Sequence, residues 1–180
     1  MVMDMQKFLF VNKILRYILL FVVVVIIFFV IDTWLYSPLG KTQFNMLFPN
    51  YQGSERKIYH CDLIGFSLHG ELLELYLYDS VQGNIENTFP KIQYKWENNY
   101  LDNAYVSCWQ RCPFDSSVIN KLDIQLLKNS FKEKCGFSLK NEIENRDNYY
   151  SYIYLSQHEN YIFLYNPNKK ILCYIRRRGF

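Results

Sequence analysis

The runs YYSYIYL (149–155), YIFLY (161–165) and ILCYIR (171–176) decide the fold. Each is built mainly from aromatic, β-branched and leucine residues, which suit a pleated, half-buried surface. The segments SQHEN (156–160) and NPNKK (166–170) separate them. Both segments are rich in turn formers and too short to hold a crossover helix. The three runs are therefore expected to pair as an antiparallel meander.

Working back along the chain, RKIYHCDLI (56–64) and ELLELYLY (71–78) read as two further strands on either side of the segment 65–70. In the second, Leu73, Leu75 and Leu77 alternate with Glu74, Tyr76 and Tyr78, a period of two that gives one apolar and one mixed face. Gly83-Asn84 marks a turn. The run KIQYKW (91–96) alternates again through Ile92, Tyr94 and Trp96, and residues 104–109 form a short additional candidate.

One helix is expected between Asp115-Ser-Ser, an N-cap, and Gly136, a stop. Ile119, Leu122 and Leu126 form its apolar stripe, continued on a slightly rotated line by Leu127, Phe131 and Cys135. A helix packed on one face of an antiparallel sheet makes this an α+β domain. The absence of βαβ alternation argues against a Rossmann-like arrangement.

The N-terminal part is of another kind. Half of the 180 residues are hydrophobic, and much of that is local: YILLFVVVVIIFFVI (17–31) contains no charge, Gly or Pro. Its length is about 22 Å at 1.5 Å per residue, short of a ~30 Å hydrocarbon core. Ile14 and Leu15 extend it on one side and Thr33 to Tyr36 on the other. Lys13 and Arg16 suit one membrane interface by snorkelling, and Trp34 and Tyr36 suit the opposite one. The expected organisation is a cytoplasmic tail (1–13), a single transmembrane helix (14–36), a tether (37–54) containing Pro38, Gly40, Pro49 and Gly53, and an extracytoplasmic α+β domain (55–180). No small-x-small site follows the apolar run, so the segment reads as an uncleaved signal anchor. Lys7, Lys13 and Arg16 before the span, against Asp4, place the N-terminus in the cytoplasm by the positive-inside rule.

Taking Lys7, Lys13 and Arg16 from 20 basic residues, and Asp4 and Asp32 from 17 acidic ones, leaves 17 and 15 in the remainder. That near balance argues against a nucleic-acid partner. No nucleophile-elbow, zinc-protease, phosphate-loop or dinucleotide motif occurs. No cofactor, metal site or catalytic set is therefore expected.

The five cysteines, Cys61, Cys108, Cys112, Cys135 and Cys173, all fall on the side expected to lie outside, where disulfides persist. Cys108 and Cys112, in CWQRC before Pro113, are the pair singled out for a local disulfide or a redox site. Their spacing is not the thioredoxin one. Cys61 and Cys173 read as buried small apolar residues within strands. Glu71, Glu74, Asp79 and His69 have no spacing that specifies a reaction, and the strand carboxylates read as solubilising. The terminal Arg176-Arg-Arg178 reads as a solvated end or a lipid-headgroup contact. Sixteen tyrosines raise the possibility of an exposed aromatic binding face, against the simpler reading of biased composition.

The expected function is that of a single-pass anchored module. Its outer domain, periplasmic or at the cell surface, binds a protein partner in an accessory or immunity-type role, with the lipid bilayer as a second partner. The alternatives are a thiol-disulfide enzyme using Cys108 and Cys112, and a structural subunit of a membrane complex.

Overall fold

The computed structural model describes residues 2–65, 67, 70–83, 85, 95–96, 99–100 and 103–179. The chain forms two units, Met1–Pro38 and Leu39–Phe180. The expected strand over 91–96 is described only at its last two residues, and His69 and Asn84 lie outside the described residues.

The first unit is one helix, α1 (Val2–Leu35), of 34 residues, about 51 Å long at 1.5 Å per residue. Its side chains are described without a break over 13–28 and are exposed throughout, from Leu15 at 63% and Tyr17 at 72% to Phe28 at 75%. Among the described residues no helix is long and apolar enough to cross a membrane.

The second unit is α+β. After a short helix α2 (Lys41–Leu47) come β1 (Arg56–Asp62), β2 (Leu72–Asp79), β3 (Lys95–Trp96), β4 (Asn99–Tyr100), β5 (Tyr105–Val106) and β6 (Gln110–Arg111). Three helices follow, α3 (Ser116–Lys121), α4 (Ile124–Cys135) and α5 (Leu139–Glu144). The chain ends in the expected meander, β7 (Tyr149–Ser156), β8 (Glu159–Asn166) and β9 (Ile171–Arg178). The main sheet has seven strands in the order β1-β2-β9-β8-β7-β5, with β6 also on β7, and every pairing is antiparallel. β3 and β4 pair separately. The last strand of the meander therefore lies between its own neighbour β8 and the distant β2.

Two features differ from the sequence expectation. The stretch read as an irregular tether contains α2, which buries Phe44 and Leu47. Its first turn closes with Phe44 N–H donating to the Gly40 carbonyl at 3.1 Å, and Gly40 N–H donates to Gln43 Oε1 at 3.0 Å. The expected single helix over 115–136 is broken in two. Asp123 takes a left-handed conformation, φ 54°, which Asp tolerates better than most residues, and α4 restarts at Ile124. The break resets the helical phase. Ile124, Leu127 and Phe131 are buried at three- and four-residue spacing, while Leu126 is left 48% exposed. The rotated stripe in the sequence was the trace of this break. Gly136, φ 65°, ends α4 as expected.

The period of two divides the sheet residues between two cores. Leu73 and Leu75 of β2, Ile162 and Leu164 of β8, Cys173 and Ile175 of β9 and Tyr150 and Tyr152 of β7 face α3, α4 and α5. Tyr76, Tyr78, Tyr161, Phe163, Tyr165 and Tyr174 occupy the opposite face, where α2, Trp96 and Trp109 cover them. Phe163 stacks on Tyr174 with centroids 5.3 Å apart, and Trp96 meets Phe163 edge-on at 5.1 Å. Trp109 Nε1–H donates to the Leu47 carbonyl at 2.9 Å and Trp96 Nε1–H to Tyr174 Oη at 3.0 Å, so both indoles satisfy their polar atom inside the core. The aromatic face is a second core, not an exposed platform.

Candidate functional site

On the aromatic face, at one end of β1, β2 and β9, the strand registers bring four polar residues together. Glu74 lies opposite Arg176, and His60 opposite Tyr76. Glu74 Oε2 accepts from Arg176 Nε. Glu74 Oε1 accepts from Tyr76 Oη–H at 3.0 Å and lies 3.2 Å from His60 Nε2. The imidazole of His60 stacks on the Tyr76 ring, centroids 4.4 Å apart and planes 11° from parallel, and the Arg176 guanidinium stands 5.6 Å from the same ring. The side chains of Glu74 and Arg176 are 7% and 10% exposed.

Burial alone would raise the pKa of Glu74. The hydrogen bonds from His60, Arg176 and Tyr76 outweigh it and hold the carboxyl below its ordinary range. The arrangement orients rather than reacts: three groups crowd the two carboxylate oxygens, so Glu74 is committed within the fold. Glu74 is therefore not the solubilising carboxylate that its place on a strand suggests. The signal was available. A single Glu in the register Glu74, Tyr76, Tyr78 shares its face with buried tyrosines, and such a charge needs a buried partner.

The partner comes from the terminal arginines, which are not a solvated end. Arg176 and Arg177 are 8% and 7% exposed; Arg177 Nη1 lies 3.7 Å from Asp123 Oδ2, and Arg178, half-exposed, reaches Glu159 at 4.0 Å. Glu71 and Asp79 do not join the cluster. Asp79 pairs with Arg56 at 2.6 Å, and Glu71 accepts from Ser67 Oγ–H at 3.3 Å.

Cys173 is the buried strand thiol the sequence suggests, but Cys61 is not. The disulfide joins Cys61 of β1 to Cys135 at the end of α4, with Cα atoms 5.9 Å apart. Two further contacts tie the same elements: Tyr59 Oη–H donates to the Cys135 carbonyl at 2.6 Å, and Lys134 Nζ donates to the Leu63 carbonyl at 3.0 Å. Cys61 therefore points to the helical layer and its neighbour His60 to the aromatic one, as strand alternation requires. Cys108 and Cys112 are both free thiols. Gln110 Nε2 lies 3.8 Å from Cys108 Sγ. Cys112 is buried, and burial, with Glu142 nearby, pushes its pKa up to about 12. Cys173, also buried, is raised for the same reasons. A thiol so shifted is a poor nucleophile at neutral pH.

Of the residues expected at membrane interfaces, Lys13 and Arg16 are exposed on α1 and Tyr36 is exposed just beyond it, while the Trp34 side chain lies outside the description. Among the described residues no group of three His, Cys, Asp or Glu side chains could hold a metal ion.

Fold and site together define an α+β domain whose antiparallel sheet is covered on both faces and latched by one disulfide and one buried ion pair. Comparison with known proteins finds no matching family model, no matching curated relative and no matching solved structure.

Proposed function

We propose that the chain is a membrane-anchored interaction module, with α1 as the anchor and the α+β unit held on the outer side to meet a protein partner. One observation carries this reading: from Ile14 to Phe28 the side chains of α1 are apolar except Arg16, and all of them are exposed. A helix that is apolar all round has no stable place in water. The described run is about 22 Å long. The sequence extends it with the apolar Phe29, Val30 and Ile31 and then with Asp32 to Tyr36, where Asp32 falls near the interface, which brings the whole span to the length of a hydrocarbon core. The basic residues Lys7, Lys13 and Arg16 favour a cytoplasmic N-terminus. The disulfide fits an oxidising compartment on the other side.

The test is fractionation. The full chain is expected to stay with membranes washed in alkaline carbonate. The domain beyond Tyr36 is expected to be cut by an impermeant protease applied to spheroplasts. Val24→Arg costs about 2.5–3.5 kcal/mol on insertion scales, and with Ile27→Arg added the chain should leave the membrane fraction. Release of the wild-type chain by carbonate defeats the anchor, and protection of the domain until lysis defeats the orientation. Co-purification from mild detergent then separates a transient partner from a permanent subunit role.

A further inference from the structure

Three tyrosine rings converge on one ammonium group at the edge of the sheet. Lys121, the last residue of α3, places its Nζ 4.1 Å from the Tyr154 ring centroid, 4.5 Å from Tyr105 and 5.6 Å from Tyr152. Tyr105 and Tyr154 are directly paired between β5 and β7, and Tyr152 lies two residues along the same face. Alternation in the strands thus aims all three rings at the helical layer. The walls differ in exposure. Tyr152 is buried at 5%, whereas Tyr105 is 50% exposed and forms a mouth open to solvent.

We infer that Tyr105, Tyr152 and Tyr154 form an aromatic cage for a quaternary ammonium cation of the choline type, which Lys121 fills and closes from within. Ring faces attract cations through their quadrupoles, and cages of such rings recognise quaternary ammonium groups. A lysine ammonium carries three hydrogen-bond donors, yet among the described residues no carboxylate forms an ion pair with Lys121. A tetra-alkylated cation has no donors and needs neither water nor a carboxylate, so ring faces alone can hold it. Lys121 sits at a helix end, beside the mouth, and can swing out by rotating its own side chain without moving the sheet. This inference does not depend on the anchor reading.

The same cation chemistry occurs in free choline and in a phosphatidylcholine headgroup. The test uses the full chain in maltoside micelles, with labelled tyrosine rings followed by NMR during titration with tetramethylammonium and with choline. Lys121→Ala opens the cage, and it should bind both cations about tenfold more tightly than wild type, the effect of a partly desolvated cation–π contact. Lys121→Met removes the charge but keeps the cage filled, and it should bind as weakly as wild type. Adding Tyr154→Leu to Lys121→Ala should abolish the gain. Equal binding by the Ala and Met variants, or a gain that survives Tyr154→Leu, overturns the cage. Should Lys121→Ala not fold, Lys121→Ser carries the same test: no saturable shift of its Tyr105 and Tyr154 rings overturns the cage. Bicelles of phosphatidylcholine and of phosphatidylglycerol separate the sources. A response to the first alone assigns the headgroup, and a response to soluble choline without either bicelle assigns the free cation; both outcomes uphold the cage.

Discussion

Glu74 and Arg176 stand opposite each other in the register of β2 and β9, and both side chains are withdrawn from water. Glu74 and Arg176 are 102 residues apart in the chain, so the pair fixes a long-range strand contact. Removing one partner of a buried pair leaves an uncompensated charge, typically costing 3–5 kcal/mol. Glu74→Gln is expected to destabilise the fold by about that amount, read as a lowered urea midpoint with unchanged slope. The double variant Glu74→Gln with Arg176→Met is expected to recover part of the loss. A double variant as unstable as the sum of both single changes would show that the two residues act independently.

Acid should unfold the domain partly through Glu74 and Glu142. Burial raises the pKa of Glu142, but the hydrogen bonds from Lys169, Asn166 and Asn148 outweigh it, so its carboxyl, like that of Glu74, is held below the ordinary value. The unfolded chain, with glutamates near ~4.3, then binds more protons than the folded one as the pH falls. The stabilisation is complete above the unfolded pKa and is lost as the pH drops through the folded values. Denaturation followed against pH should show this acid slope, and Glu74→Gln should flatten it. An identical slope in the variant would remove Glu74 from the account.

The disulfide closes a loop across a sequence separation of 74 residues. The chain-entropy argument gives about 4.5 kcal/mol for a loop of that size. Cys61→Ser and Cys135→Ser should each lower the melting temperature and expose one additional titratable thiol. Peptide mapping of alkylated, unreduced protein should recover the peptides around residues 61 and 135 as a linked pair. A bond between Cys108 and Cys112 in that map would contradict the arrangement seen here.

Thiol reactivity should divide the three free cysteines. Cys112 and Cys173 are buried with raised pKa values, whereas Cys108 is half-buried. In native protein near neutral pH, Cys108 is expected to be alkylated first. The other two should react at ordinary rates only after denaturant is added, since the thiolate is the reacting species. Fast labelling of Cys112 in the folded state would reopen a redox role for CWQRC.

The aromatic face should behave as core. Phe163 is fully buried between Tyr174 and Trp96, so Phe163→Ala is expected to cost about 3–5 kcal/mol. Tyr105→Ala, at the half-exposed mouth of the ring cluster, should cost under about 1 kcal/mol. Equal, small losses at both positions would mean that the sheet's second face is not packed.

The sequence alone determined the features that depend on neighbouring residues. The meander follows from three β-favouring runs with connections too short for anything but antiparallel pairing. The end of α4 follows from Gly136. The apolar segment 17–31 is plain because no charge, Gly or Pro interrupts it. The break at Asp123 was half-legible, as a rotation of the apolar stripe, but a left-handed Asp leaves no pattern of its own. Tertiary structure alone decided the rest. Alternation separates Leu75 from Tyr76, but it does not say what covers each face. The tyrosines become core because α2, Trp96 and Trp109 come over them from elsewhere in the chain. The bridge falls between Cys61 and Cys135, not within CWQRC, because a disulfide requires two Cα atoms to be close in space, and the edge strand and the end of α4 meet only once the helical layer is packed. Glu74 changes from a solubilising group to a buried anchor for one reason: β9 inserts beside β2, and the arginine it carries meets the carboxylate where water would otherwise have been.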